Sequence, residues 1–382
     1  MHTKPLSVVL VLGVLNLFAS TCFAQSTLVN SANAASSSSA ANANKKVFTI
    51  THEAQRTAAK DQARTNTCWN FATASFMESE VARQGGKLIE LSEVFGVRHA
   101  YPLKADAYLR VQGKATFWEG GNNHDAMEML KRYGAVPKAY YTGLKEGETK
   151  LDHAELAATT KAFLDAVIKT GRPSKSWRAA FEGILDAYIG KPPSNFVFEN
   201  RVYTPQTFRD QVLKLNPDDY VEVTSFSHHP YYQRIRLEIP DNWSHDSRYL
   251  NVPIDDMERI MNHALSNGYT ISWGGDTSEK GFNVKEGYAV LDDESKLITQ
   301  DFRQDAFDDW RSTDDHSMHI VGLSKDEKGN PFFLTKNSYG VSSGPFEGHL
   351  HMSRNYVRMK TIYFMVHKDA IPADIRQKSA IR

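Results

Sequence analysis

A change of hydrophobic period along the chain limits what it can fold into. Up to Ser266 the apolar residues recur at helical spacing, as in Trp69, Ala72, Phe76 and Met77 or in Ile254, Met257, Ile260, Met261 and Leu265. Beyond Ser266 they mostly alternate, which predicts strands over His319–Ser324, Phe332–Lys336, Gly348–Met352 and Thr361–His367. Helices early and strands late predict an α+β molecule of two lobes, because βαβ units would interleave the two periods.

Turn and cap residues mark the elements. Asn66 or Thr67 can cap a helix that Gly85-Gly86 stops, and Leu91-Ser92-Glu93 opens another running to about Arg110. Trp118 to Asp125 leads into a helix carrying Met127, Leu130 and Tyr133, with Gly134 and Pro137 as stops. Residues 150–215 are helical with breaks at Gly171-Arg172-Pro173 and Lys191-Pro192-Pro193, and Thr204-Pro205 pairs an N-cap with a proline in the first turn. Strands are expected near Lys46–Ile50, Tyr220–Phe226 and Tyr269–Trp273, with Gly274-Gly275-Asp276 as a turn.

Residues 1–24 have the form of an export signal: Lys4, an apolar run from Leu6 to Ala19, and a small residue, Ala24, at the cleavage position. A lipid-modified Cys22 is the less favoured reading, because Thr21 suits that site poorly. Residues 25–44 are Ser, Ala and Asn with almost nothing to bury, a disordered linker. The folded domain is expected over 45–382 with an insertion at about 150–268, and no membrane-spanning segment is expected in the mature chain. Lys plus Arg and Asp plus Glu both number 45, so there is no basic footprint for nucleic acid. Asn242-Trp243-Ser244 has the form of a glycan acceptor. Adjacent His228 and His229 diverge on an extended chain, so no metal site is expected.

Only two cysteines occur, and processing would remove Cys22. A single free thiol in an exported protein calls for a chemical role. Cys68 lies in the first turn of its predicted helix, where the dipole and free N–H groups are expected to lower its pKa. A cysteine nucleophile needs a base and a group to orient that base. His316 at the entry of one strand and Asn337 at the exit of a neighbouring one can supply both. His319, an odd number of residues away, is expected on the opposite face.

Together these segments resemble papain-like cysteine peptidases. Gln62 with Cys68-Trp69, Leu91-Ser92-Glu93, Glu119-Gly120-Gly121, Asp315-His316-Ser317-Met318 and Asn337-Ser338-Tyr339-Gly340 match that family's elements in order. Tyr133-Gly134-Ala135-Val136-Pro137, Gly274-Gly275-Asp276-Thr277 and Gly281-Phe282 resemble the bleomycin hydrolase and aminopeptidase C branch. The resemblance covers about Lys46 to Asp369 and implies a helical lobe beside an antiparallel, barrel-like strand lobe. It implies Cys68 as nucleophile, His316 as base and acid, Asn337 as orienting amide, and Gln62 as oxyanion donor. Gly120 and Gly121 would pair with the backbone of a peptide substrate, without cofactor or metal. It also admits a homo-oligomer.

Three departures bear on function. Tyr339 replaces the family's tryptophan, Asn66-Thr67 replaces small residues before the thiol, and many members of the branch are intracellular. In that branch the C-terminal arm enters the cleft and its carboxylate binds the substrate's amine, which favours an aminopeptidase here. Arg376, Lys378 and Arg382 make the tail less suited to that task and leave an endopeptidase as the alternative. A non-catalytic peptide-binding protein and an acyltransferase are the readings from other classes.

Overall fold

The computed structural model describes residues 46–381, and Lys45–Arg382 forms one compact unit. The proposed export signal, the linker and Cys22 lie outside the described residues. Among the described residues no helix is long and apolar enough to cross a membrane.

The first lobe is helical: α1 (Cys68–Arg83), α2 (Glu93–Arg110), α3 (Asn123–Tyr133), α4 (Ala154–Lys169), α5 (Trp177–Ile189) and the short α6 (Pro205–Phe208). Its ends follow local chemistry. Ser92 accepts a hydrogen bond from the Phe95 amide to cap α2, and Asn122 with Asp125 forms a capping box on α3. Thr204 caps α6 ahead of Pro205. At the end of α3, Gly134 has φ +81°, and a Cβ there would lie 2.2 Å from the Pro205 carbonyl carbon, so only glycine fits. Phe76, Leu164, Phe181, Leu185 and Phe208 are fully buried in this lobe. Each side chain of that kind contributes about 1.5–3 kcal/mol through lost apolar surface.

The second lobe is one eleven-stranded sheet with the order β5-β6-β4-β13-β7-β10-β11-β12-β9-β8, and β1 on β10. In chain order these are β1 (Phe48–Glu53), β4 (Tyr220–Thr224), β5 (Gln233–Ile235), β6 (Tyr249–Asn251), β7 (Ile271–Gly275), β8 (Phe282–Asn283), β9 (Tyr288–Ala289), β10 (His316–Asp326), β11 (Pro331–Lys336), β12 (His349–Ser353) and β13 (Thr361–His367). A separate hairpin joins β2 (Phe196–Phe198) to β3 (Arg201–Tyr203). Helix α7 (Ile254–Ser266) buries Met257, Ile260 and Met261 in the core of this lobe, alongside Trp273, Met318, Ile320 and Phe364. The lobe also holds α8 (Gln300–Asp308), α9 (Arg354–Lys360) and α10 (Ala373–Lys378). Helix α1 packs across β10 and β7 and joins the lobes.

Several expectations are corrected. Gly274 and Gly275 lie inside β7, paired with β10 and β13, and are not a turn. The reason is steric: a Cβ on Gly274 would meet the Tyr363 ring at 2.3 Å, so glycine here serves close strand packing. His228 and His229 do not diverge; both imidazoles reach Glu238 Oε2, at 3.5 and 2.8 Å, because the chain turns there instead of extending. These three residues bring ligand atoms within 4.8 Å of one another at the surface. Asn242 is buried, and its amide donates to the carbonyls of Leu237 and Asp246, so it cannot carry a glycan in this fold.

The C-terminal segment packs on the strand lobe. Asp374 pairs with Arg259 of α7, Ile375 is buried, Lys378 lies over the Tyr232 ring, and Ile381 joins the core around α7. Through Ile381 the tail therefore packs on the strand lobe.

Candidate active site

The chain approaching Cys68 is stitched to the strand lobe. The Gln62 amide donates to Ser338 O at 2.9 Å, the Gly340 amide donates to Lys60 O at 3.0 Å, and Asp61 pairs with Tyr339. Thr65 turns its hydroxyl onto Gln62 O at 3.0 Å and lies 2.8 Å from the Thr67 hydroxyl. Thr67 occupies the N-cap position of α1, but its side chain makes no capping bond. The amides of Trp69 and of Ser317 point at the Cys68 sulfur instead. That contact puts the thiol beside the start of β10, one residue from His316.

His316 opens β10 opposite Gly275. Asn337 follows β11 and is fixed by its amide, which donates to Gly348 O at 3.0 Å. The two side chains meet through His316 Nε2 and Asn337 Oδ1 at 2.8 Å. With Nε2–H donating to the amide oxygen, Nδ1 is the free acceptor of the ring. Asn337 Oδ1 also accepts from the Ser338 amide at 2.8 Å. The Tyr339 ring stacks over His316 with centroids 5.2 Å apart and planes 23° apart, so the aromatic cover is retained despite the missing tryptophan. His319 is engaged elsewhere: its Nδ1 lies 2.8 Å from Ser75 Oγ in the middle of α1.

The expected acidification of the thiol is not what this environment produces. Cys68 keeps some accessible surface, but protein crowds its sulfur on most sides, and burial pushes its pKa up to about 12. The charges of Asp314 and Asp241 add to the rise, while the Ser317 and Trp69 amides oppose it. Lost hydration and two nearby acids outweigh the helix end. Burial likewise lowers the pKa of His316, against the bond to Asn337. Burial thus disfavours charge on both the thiol and the imidazole.

Gln62 is held at both ends of its amide. Its Oε1 accepts from Ser338 Oγ at 2.5 Å, and its Nε2 donates to Thr65 O at 2.8 Å, which leaves one N–H uncommitted. Ser338 was not singled out on sequence, although its place directly after Asn337 was the available signal.

Gly120 and Gly121, expected to pair with a substrate backbone, are buried. The Gly120 carbonyl accepts a hydrogen bond from Lys104 Nζ, as does that of Trp118. The segment between β5 and β6 folds over the pair: a Cβ on Gly120 would lie 2.1 Å from an Asp241 carboxylate oxygen. Gly121 packs against the Trp69 ring, whose indole N–H donates to Glu119 O at 2.9 Å. Glu119 itself accepts from the Asn66 amide at 3.0 Å and meets Tyr101 and His153 at 3.0 and 2.7 Å. The glycine segment thus braces α1.

A cysteine at a helix start on one lobe, beside a His–Asn pair held by strand ends on the other, is the arrangement of a papain-like cysteine peptidase. The chain belongs to the Peptidase C1-like family, which it matches over residues 106–381, a stretch that includes His316 and Asn337 and begins after Cys68. Aminopeptidase G of Lactobacillus delbrueckii subsp. lactis is 22% identical over 360 residues, covering 82% of each chain. Aminopeptidase C of Listeria monocytogenes is 20% identical, covering 85% of this chain and 83% of its own. The solved structure of PepW from Lactobacillus rhamnosis superimposes with a TM-score of 0.72 at 21% identity, over 86% of this chain and 84% of that one. The chain is a cysteine-type peptidase of the aminopeptidase C and bleomycin hydrolase branch.

Proposed function

We propose that this chain is an aminopeptidase that works through a thioester on Cys68, with His316 as base and acid and Asn337 holding the imidazole. The observation that carries the reading is the 2.8 Å His316–Asn337 bond beside a sulfur that the Ser317 amide faces. The names of its relatives support the exopeptidase part.

His316 Nδ1 takes the thiol proton as the sulfur attacks the scissile carbonyl, forming the C–S bond and pushing the carbonyl electrons onto oxygen. The Cys68 amide and the uncommitted N–H of Gln62 are the donors for that oxyanion, each worth about 3 kcal/mol of transition-state stabilisation. Collapse breaks the C–N bond, and the imidazolium gives its proton to the leaving amine. Water then gives a proton to His316 and adds to the thioester; the C–S bond breaks and the thiol recovers its proton.

Residues 1–24 are read as an export signal cleaved after Ala24, which N-terminal sequencing of the exported protein checks by a start at Gln25. The peptidase reading is tested with paired fluorogenic substrates, one with a free amine and one acetylated. Preferential turnover of the first, lost in Cys68→Ala, is expected; equal turnover of both would make the protein an endopeptidase.

A further inference from the structure

Two adjacent histidines and a carboxylate meet at the surface of the strand lobe. His228 and His229 lie in the turn after β4, and Glu238 lies on the segment between β5 and β6. The turn is held from inside: the buried Asn251 side chain donates to the carbonyls of Phe226, His229 and Pro230 at 2.8, 3.0 and 3.3 Å. That bend brings both imidazoles to one side, with ring centroids 4.4 Å apart. The His228 ring also stacks with Phe307 of α8, the planes 9° apart. Both Nε2 atoms face one oxygen, Glu238 Oε2. His229 Nε2, at 2.8 Å, is at hydrogen-bond distance, whereas His228 Nε2, at 3.5 Å, lies beyond the usual N–H···O range. Hydrogen bonding therefore accounts for one imidazole of the two. Ligand atoms about 2.0–2.2 Å from a tetrahedral ion stand roughly 3.3–3.5 Å from each other. The His228 contact already has that spacing, and the His229 contact reaches it by opening about half an ångström.

We propose that His228, His229 and Glu238 form a zinc site that clips the turn after β4 to the β5–β6 segment. Two imidazoles and one carboxylate suit Zn2+, and they offer too few oxygens for Ca2+ or Mg2+. The three side chains are 33%, 22% and 53% exposed, which leaves the fourth position of the ion to water. One neighbour works against the ion. Gln304 of α8 accepts from the Ser227 amide on Oε1 at 2.7 Å, so its Nε2 is the atom that faces His228 Nδ1 at 2.9 Å. His228 then carries its proton on Nε2. Zn2+ takes the Nε2 lone pair once that proton moves to Nδ1, and the Gln304 N–H has to turn aside, which weakens binding. The site bears on the cleft by position. Asp241, three residues beyond Glu238, covers Gly120, so an ion at Glu238 fixes the root of the covering segment against β4.

The test uses the full chain carrying Cys68→Ala, so that the thiol cannot take the metal and the result does not depend on the peptidase reading. Co2+ serves as a coloured stand-in. One Co2+ per chain is expected, with the strong visible absorption of a four-coordinate ion, displaced by equimolar Zn2+ and not by Ca2+ or Mg2+. His228→Ala, His229→Ala and Glu238→Gln should each weaken Zn2+ binding about a hundredfold, since a lost ligand costs at least as much as the ten- to hundredfold of a group behind one. All three side chains reach solvent, so these variants keep the fold. Zn2+ should also raise the melting temperature and slow amide exchange across residues 236–248, and in Glu238→Gln at the same concentration it should do neither. Binding of undiminished strength in Glu238→Gln would mean an ion held by histidines alone and would overturn the clip. Absence of saturable Zn2+ binding, or binding that leaves exchange across residues 236–248 unchanged, overturns it equally.

Discussion

At the scale of single residues the site divides into groups that react and groups that hold them. Cys68→Ala is expected to fold normally and fall to background turnover, with Cys68→Ser nearly as inactive, because an alcohol is a far weaker nucleophile. His316→Ala should lose about a hundred- to ten-thousandfold in kcat. His319→Ala should keep its rate and lower the melting temperature, since His319 bonds Ser75 inside the lobe junction. The reverse pattern between these two histidines would refute the assignment. The thiol also makes a pH prediction. With a pKa raised to about 12 by burial, Cys68 of the free enzyme is protonated through the neutral range. Alkylation by neutral iodoacetamide should therefore keep rising from about pH 6 to about pH 9. A plateau reached below about pH 7 would mean that an imidazolium–thiolate pair already exists in the free enzyme.

At the scale of elements, what could be read from the sequence depended on how local its cause was. The bounds of α7 follow from an apolar stripe and those of α3 from Asn122 and Gly134, so both were readable. The pairing of His316 with Asn337 was readable because both sit at strand ends that adjoin in the sheet. Helices α8 and α9 went unread: both are short and their caps, Thr299 and Ser353, lie among strand-like residues. Asp241 could not be found either, since its place over Gly120 is set by how the β5–β6 segment folds and no periodicity encodes that. Nor could the state of the thiol, which burial decides against the helix end. Helix α3 carries a prediction of its own. Burial opposes charge on His124, but Asp125 and Glu222 outweigh it and raise its pKa to about 9. That contribution to stability is fully present below the ordinary histidine pKa of 6.5 and is lost as pH rises through about 9. His124→Gln should therefore lower the melting temperature more at pH 6 than above pH 9, and an equal deficit at both would discount the charge.

On the scale of the whole molecule, the two lobes are joined at the place where the catalytic segment is made. The tail contributes to one lobe only: truncation after Ser379 removes Ile381 from the core around α7 and should lower stability while leaving the free-to-blocked substrate ratio unchanged. A shift in that ratio would return the tail to the cleft. The junction itself depends on Lys60. Its Nζ lies 2.5 Å from Glu78 of α1 and 2.7 Å from Glu93 of α2 and donates to Leu91 O at 3.2 Å, all of it buried. Burial opposes that charge, yet Glu93 and Glu78 outweigh it and keep the lysine ionised well beyond the neutral range. Lys60 also accepts the Gly340 amide on its carbonyl, so one residue links both helices to the loop that follows Asn337. Lys60→Ala would leave buried Glu78 without its ammonium and Glu93 with only Lys138, 3.7 Å away, a loss of about 3–5 kcal/mol. Lys60→Met with Glu78→Gln and Glu93→Gln removes the charges together and should recover much of it, because the penalty lies in unpaired ions more than in the lost bridge. Denaturant melts of the single and triple variants check this. If the single variant unfolds like the wild type, the junction is held by packing of α1 on β10 and not by Lys60.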